Sequence, residues 1–317
     1  QPDWQLLSEE ALVRNLTVGL KKASEYGPPM TTGWLLDNFG QISQTSQIHA
    51  EVGLKGLYAW RGVEMDPTNV QSEFIWESPD GTRLPTVYLL NSYRNVMRLA
   101  EYPKIMKRRI LDEVEKLKDF MITKNVLLMN GYDQEMVPDD IQPYIQSGVL
   151  NTDEITVSQS NPPAYLASVL AENPDLITLK GALYSGRFIS VFPGVMSARM
   201  YLKLQNDKSQ KAIEKYAEPL GTLDWLMGGE YPQVTLDKAW ELLLCNHPHD
   251  SICGVSIDDV HSDMEARTRD FHFLVDDAID RSMANLARRI DTSKMDEKNF
   301  FVFNPAPYPR DEVVSVG

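Results

Sequence analysis

The window 244-LCNHPHDSICG-254 concentrates the side chains best suited to metal chemistry. The chain has five His and two Cys, and this window holds two of each beside Asp250. Two arrangements are open. Cys245, His247, His249 and Cys253 are zinc-ligand types, but their spacing matches no common structural zinc pattern. Cys245 also ends the apolar run 240-WELLLC-245, which reads as a buried helical thiol. In the second arrangement, His249 coordinates a metal at a helix break set by Pro248, and Asp250 accepts hydrogen bonds. A histidine held only by packing is the plain alternative.

A second set of candidates lies in the first half. Asp37 follows 33-GWLL-36, Arg61 follows 56-GLYAW-60, Ser92 and Tyr93 follow 86-TVYLLN-91, and Asp133 closely follows 125-NVLLMN-130. Two carboxyls across a cleft are the minimum for glycoside hydrolysis, one attacking as the anion and the other holding a proton. Asp37-Asn38 is equally an ordinary turn.

These residues need elements to hold them. Helices are expected at 8–26 (Ser8 as N-cap, Gly27 closing), 43–52, 103–122, 139–147 and 162–171. Strands are expected at 33–36, 56–60, 86–91, 125–130, 154–157 and 176–179. Alternating strands and helices imply a parallel α/β sheet, open or barrel-like, with ligands gathered at the carboxyl ends of the strands. Leu, Ala and Ile at helical spacing then predict long helices over 205–228, 234–246 and 256–290, a three-helix bundle with Ser256 as the last N-cap. The segment 300-FFVFNPAPYPRDEVVSVG-317 reads as the first strands of a β domain. The expected domains are 1–187, 188–293 and 294–317.

A net charge of -14 disfavours nucleic acid as a partner. No apolar run approaches the roughly 18 residues of a membrane span, so no membrane partner is expected. Two cysteines cannot make a disulfide framework, and a cytoplasmic, reducing setting is expected. The opening QPDWQLLSEE lacks a Met and the features of a signal peptide, and reads as the start of an excised or processed piece.

Six segments, 33-GWLLDNFGQISQ-44, 58-YAWRG-62, 126-VLLMNGYD-133, 193-PGVMSARMYLKLQN-206, 217-AEPL-220 and 239-AWELLLCNHPHDSICGVSIDDVH-261, carry a resemblance across nearly the whole chain. In this order they resemble glycoside hydrolase family 38, the zinc-dependent α-mannosidases, and its bacterial branch most. The resemblance implies an incomplete seven-stranded (β/α) barrel, the helical bundle and a C-terminal β-sandwich. It implies that Asp37 is nucleophile and zinc ligand, and Asp133 the general acid/base. Arg61 lies beside the nucleophile and stabilises its charge; Phe39 lines the sugar pocket; His249 binds zinc; Asp250 contacts substrate. Tyr93 and His247 are left out of the site, and His261 with Asp263 reads as helix surface or packing. The implied reaction is retaining hydrolysis of terminal α-mannosides.

The family's opening H-x-D pair, which supplies two of four protein zinc ligands, has no counterpart in this sequence. The expectation is therefore weak zinc binding and low activity for this chain alone, with a homo-oligomer in the full-length protein. Hydrolysis of a mannosylated small solute such as mannosylglycerate, or a non-catalytic carbohydrate-binding or assembly module, are the alternatives.

Overall fold

In the computed structural model, residues 1–317 are described except 100–101, 137–139, 294, 296–299, 305 and 314–317. The chain divides into two compact units. One comprises Gln1, Asp3–Gln5 and Leu16–Phe192; the other comprises Pro2, Leu6–Asn15 and Pro193–Gly317. Among the described residues no helix is long and apolar enough to cross a membrane.

The chain enters α1 (Glu9–Ser24) as Ser8 predicts. Ser8 Oγ accepts from the Ala11 amide at 3.2 Å, satisfying a donor that the first helical turn cannot. The first unit then alternates β1 (Thr32–Leu35), α2 (Thr45–Glu51) and β2 (Gly56–Ala59). A hairpin of β3 (Glu73–Glu77) and β4 (Arg83–Tyr88) follows, and then α3 (Pro103–Leu117), α4 (Gln142–Gln146), α5 (Pro162–Ala171) and β5 (Thr178–Lys180). The sheet order is β1-β2-β4-β3-β5. β1, β2 and β4 run parallel, with Leu35 opposite Ala59 and Ala59 opposite Tyr88. Their carboxyl ends therefore share one rim.

The sheet is mixed, not all-parallel, because β3 runs antiparallel to β4. The hairpin has a local cue that the alternation obscures: Asp80-Gly81, where Gly81 has φ 89° and Asp80 caps the Thr82 amide at 3.0 Å. The segments 125–130 and 154–157, expected as strands, join no ladder among the described residues. Side chains satisfy part of their backbone instead. Asn95 accepts from the Met129 amide (2.7 Å) and donates to Leu127 O (3.1 Å). Asn151 Oδ1 accepts from the Val157 amide at 2.9 Å. The core below the rim joins Leu36, Tyr58, Val87, Leu89, Tyr165, Leu166 and Val169. Tyr93 belongs to the same cluster, and Trp60 packs against it.

The second unit is helical: α6 (Met200–Lys211), α7 (Glu218–Leu226), α8 (Gln233–Leu244), the single turn α9 (His249–Ile252) and α10 (Asp258–Ala287). The helix expected over 205–228 is interrupted by a π turn at Ala212–Ala217. Pro219, in the first turn of α7, lacks an amide hydrogen and crowds the preceding turn, and the π turn absorbs that mismatch. Ser256 does not cap α10; Ile257 takes that position, with no side-chain cap bond. Cys245 is exposed, not a buried thiol, because it caps α8 where the apolar stripe ends, whereas Cys253 is buried. The described residues 300–303 form no strand, having no partner strand beside them; 314–316 lie outside the described residues.

Candidate active site

Asp37 leaves the end of β1 in the loop 36–41. Two antiparallel bridges, Gln41 to Leu183 and Gly62 to Ser185, tie this loop and the one after β2 to the same downstream segment. Gly62 is required there: its φ is 89°, and a Cβ would lie 2.4 Å from Leu183 O. The residue before it, Arg61, donates from Nε to Asp37 Oδ1 at 2.7 Å and from Nη1 to Ser190 O at 2.7 Å. Its guanidinium carbon lies 4.3 Å from the Trp60 ring centre, 5.2 Å from Phe192 and 5.4 Å from Phe39. Three aromatic faces thus hold the cation that orients the Asp37 carboxylate. Phe39 is buried beneath Arg61 and against Phe192.

Tyr93 joins the two carboxylates. Its hydroxyl is 2.5 Å from Asp37 Oδ2 and 2.8 Å from Asp133 Oδ2. The two carboxylate oxygens are therefore no more than about 5.3 Å apart. Burial, then hydrogen bonding to Asp37 and Asp133, raises the Tyr93 phenol well above its ordinary pKa, so it stays protonated. A phenol has one proton. It can donate fully to only one carboxylate at a time.

The backbone is left-handed beside Tyr93, at Ser92 (φ 74°), and beside Asp133, at Gln134 (φ 59°). Arg98 grips Glu135 with two bonds, 2.8 Å from Nε and 2.5 Å from Nη2, anchoring the loop after Asp133. Tyr132 stacks on Tyr93 with ring centres 5.9 Å apart. Tyr93, Trp60, Phe192 and Tyr132 are absent from the residues chosen by sequence. Position after an apolar segment was the available signal for Tyr93 and Tyr132; Trp60 falls at the end of the expected strand 56–60, and Phe192 had no signal.

In the second unit, Pro248 (φ -47°, ψ 141°) breaks the chain before α9. His249 Nε2 lies 3.6 Å from Asp250 Oδ1, and the Asp250 side chain is 73% exposed. His247 is fully buried and Nε2-bonded to Asn206 Oδ1 at 2.7 Å. His261 packs with Nε2 3.0 Å from Ser256 O.

Among the described residues, no group of three or more His, Cys, Asp or Glu side chains is arranged to hold a metal. Asp37 and His249 are suitable donors for zinc, but catalytic zinc takes about three protein ligands. Both Asp37 oxygens already accept hydrogen bonds. The donors among the described residues do not by themselves complete a zinc site.

Comparison with known proteins fits this rim of carboxylates on an α/β sheet. Residues 1–187 match the N-terminal domain of the glycosyl hydrolases family 38, and residues 190–286 match the alpha mannosidase middle domain. The chain belongs to glycosyl hydrolase family 38. A Halalkalibacterium halodurans protein named "Putative mannosylglycerate hydrolase" is 33% identical over 279 residues, covering 83% of this chain and 31% of its own length. An alpha-mannosidase from Enterococcus faecalis V583 has a crystal structure that superimposes with a TM-score of 0.87 at 33% identity. That alignment covers 94% of this chain and 34% of the other. A second Enterococcus faecalis structure, of a protein in the same family, gives a TM-score of 0.72 at 30% identity, covering 92% of this chain and 31% of that one. The chain thus spans about a third of the length of these relatives.

Proposed function

We propose that this chain carries the nucleophile and the acid/base of a retaining α-mannosidase. The observation that carries the reading is the Tyr93 hydroxyl, which bonds both carboxylates and keeps their facing oxygens within about 5.3 Å. Retaining glycosidases separate their carboxyls by about 5–5.5 Å, whereas inverting ones leave about 6.5–9.5 Å for a water.

Asp37 attacks the anomeric carbon as the glycosidic C–O bond breaks, and Asp133 gives its proton to the departing oxygen. Asp133, now a carboxylate, takes a proton from water as that water attacks the same carbon. Mannose leaves with its configuration retained, Asp37 is freed and Asp133 is reprotonated. Arg61 fixes which Asp37 oxygen faces away from the sugar, since its bond occupies Oδ1. Asp37 and His249 are the donors this chain would bring to a zinc ion, which needs at least one further ligand. The chain alone is therefore expected to bind zinc weakly and turn over slowly. Tight stoichiometric zinc by elemental analysis, together with rapid hydrolysis of an aryl α-mannoside, would overturn that expectation. The stereochemical test uses α-mannosyl fluoride with zinc supplied. NMR should show α-mannose as the first product; β-mannose first would remove Asp37 as nucleophile.

A second reading concerns the leaving group. Arg94 is exposed, and its guanidinium carbon lies 4.3 Å from the ring centre of Tyr132, the neighbour of Asp133. A cation over the ring that precedes the acid in sequence would favour an anionic aglycone such as glycerate, in line with the name of the Halalkalibacterium relative. Arg94→Met should then impair hydrolysis of mannosylglycerate about tenfold while sparing a neutral aryl mannoside. Equal effects on both would exclude it.

A further inference from the structure

We propose that Arg199, Lys203 and Asn206 are positioning residues that clasp the turn bearing His249 and Asp250 from both sides. The value of that turn to catalysis rests on the reading above; the clasp itself is a statement about bonds within the second unit.

α9 is one helical turn of four residues, closed by its own backbone bonds from the Ile252 amide to Pro248 O and the Cys253 amide to His249 O, both 3.0 Å. A helix this short needs tertiary support to persist. α6 and its cap add side-chain bonds on both sides of it. Before the turn, His247 bonds Asn206 Oδ1 through Nε2 at 2.7 Å. Asn206 Nδ2 donates to Leu6 O at 3.2 Å, which sets the amide orientation and makes His247 Nε2 the protonated nitrogen. After the turn, Lys203 Nζ donates to Cys253 O at 2.8 Å and to Ala198 O at 2.5 Å. Arg199 Nε then donates to Gly254 O at 3.2 Å, and its Nη2 reaches Asp258 Oδ1 at 2.6 Å.

Lys203 and Asn206 lie three apart on one stripe of α6, and Arg199 is the left-handed residue that precedes the helix. The three meet residues 253, 247 and 254 respectively, so the start of α6 reaches both ends of the turn. Lys203, Asn206 and His247 are buried, and a cationic donor suits the carbonyls at the end of a helix. The approach is close enough to demand glycine: Gly254 has φ 82°, and a Cβ there would stand 3.0 Å from Ala198 O. This gives a physical task to 193-PGVMSARMYLKLQN-206, which family membership alone leaves without one. It also gives His247 a role as the near anchor.

The test is backbone hydrogen exchange of the full chain. Lys203→Met and Asn206→Leu should each speed exchange of amides 249–254 about tenfold or more, leaving α8 and the middle of α10 as protected as in the parent. Lys203→Arg keeps a cationic donor and should restore protection to within about threefold of the parent. Unchanged exchange at 249–254 in Lys203→Met, acceleration spread evenly over the second unit, or no rescue by Lys203→Arg would each overturn the clasp. No substrate enters the measurement, so a failed mannosidase assay leaves it decisive, and a failed exchange result leaves the mannosidase reading standing.

Discussion

The strand-end rim of the first unit and the 247–254 turn of the second are held in opposite ways. At the rim, the residues proposed to carry the chemistry also hold each other: Arg61 bonds Asp37, and Tyr93 bonds both carboxylates. Parallel strands end in register beneath Asp37, Arg61 and Tyr93, while Asp133 follows a segment that joins no ladder among the described residues. The turn is a single helical turn, and side-chain bonds reach it from α6 and the residue before that helix, some fifty positions away in sequence. A site on regular elements can let its reactive groups organise one another. A site on an irregular turn needs separate residues that only support.

If that contrast is right, the two regions respond differently to damage. The largest effect is expected at the rim. Asp37→Asn should lower kcat at least about 10³-fold by removing the attacking carboxylate, without altering exchange of amides 249–254. A loss below tenfold would separate Asp37 from the chemistry. Asp133→Ala comes next, and its cost should depend on the leaving group. A poor leaving alcohol should lose about 10²- to 10⁴-fold, and an activated aryl group, which departs without a proton, much less. Equal losses on both would mean Asp133 is not the acid.

A smaller effect probes how the rim is fastened. Gly62→Ala places a side chain at φ 89° and drives Cβ to 2.4 Å from Leu183 O. It should cost about 2 kcal/mol or more in urea unfolding followed by fluorescence of the first-unit tryptophans. A change under about 0.5 kcal/mol would mean the bridge to Ser185 does not fasten the Arg61 loop.

The smallest effect lies under the rim. Glu73 is buried with Tyr165 and Ser72 donating to it at 2.6 and 2.7 Å, and burial raises its pKa above 4.5 despite those bonds. Raised folded pKa means that the folded state prefers the protonated form. That stability is fully present below pH 4.5 and is lost as pH rises through the folded value. Glu73→Gln should therefore stabilise the protein by about 1 kcal/mol at pH 7, with the gain shrinking towards pH 4.5. Denaturant titrations at the two pH values decide it; a loss at pH 7 would mean the two donors outweigh the desolvation.

Much of the helical framework was legible because its signals are local. Ser8, the Asn161-Pro162 start of α5 and the Pro248 break act within a few residues of where they stand. The strands were harder. The apolar segment 125–130 looks like a strand by composition, yet ladder membership depends on a neighbour, and Asn95 takes its backbone bonds instead. β3 was hidden because its Asp-Gly turn was outweighed by an expected alternation of strands and helices. Asp37, Arg61 and Asp133 stand out as polar residues after apolar segments. Tyr93 occupies the same kind of position and became central only through distances to two carboxylates.

Sequence alone set the residue types available for chemistry, the family through motifs spread along the chain, and some helix boundaries, such as those at Ser8 and Pro248. These follow from composition and from interactions across a few residues. Only the tertiary structure decided that one phenol bridges two carboxylates, that Cys245 faces solvent and that α6 grips the His249 turn. Each of those depends on groups distant in sequence meeting within hydrogen-bond range or on which face packing leaves open, and no local pattern encodes such a meeting.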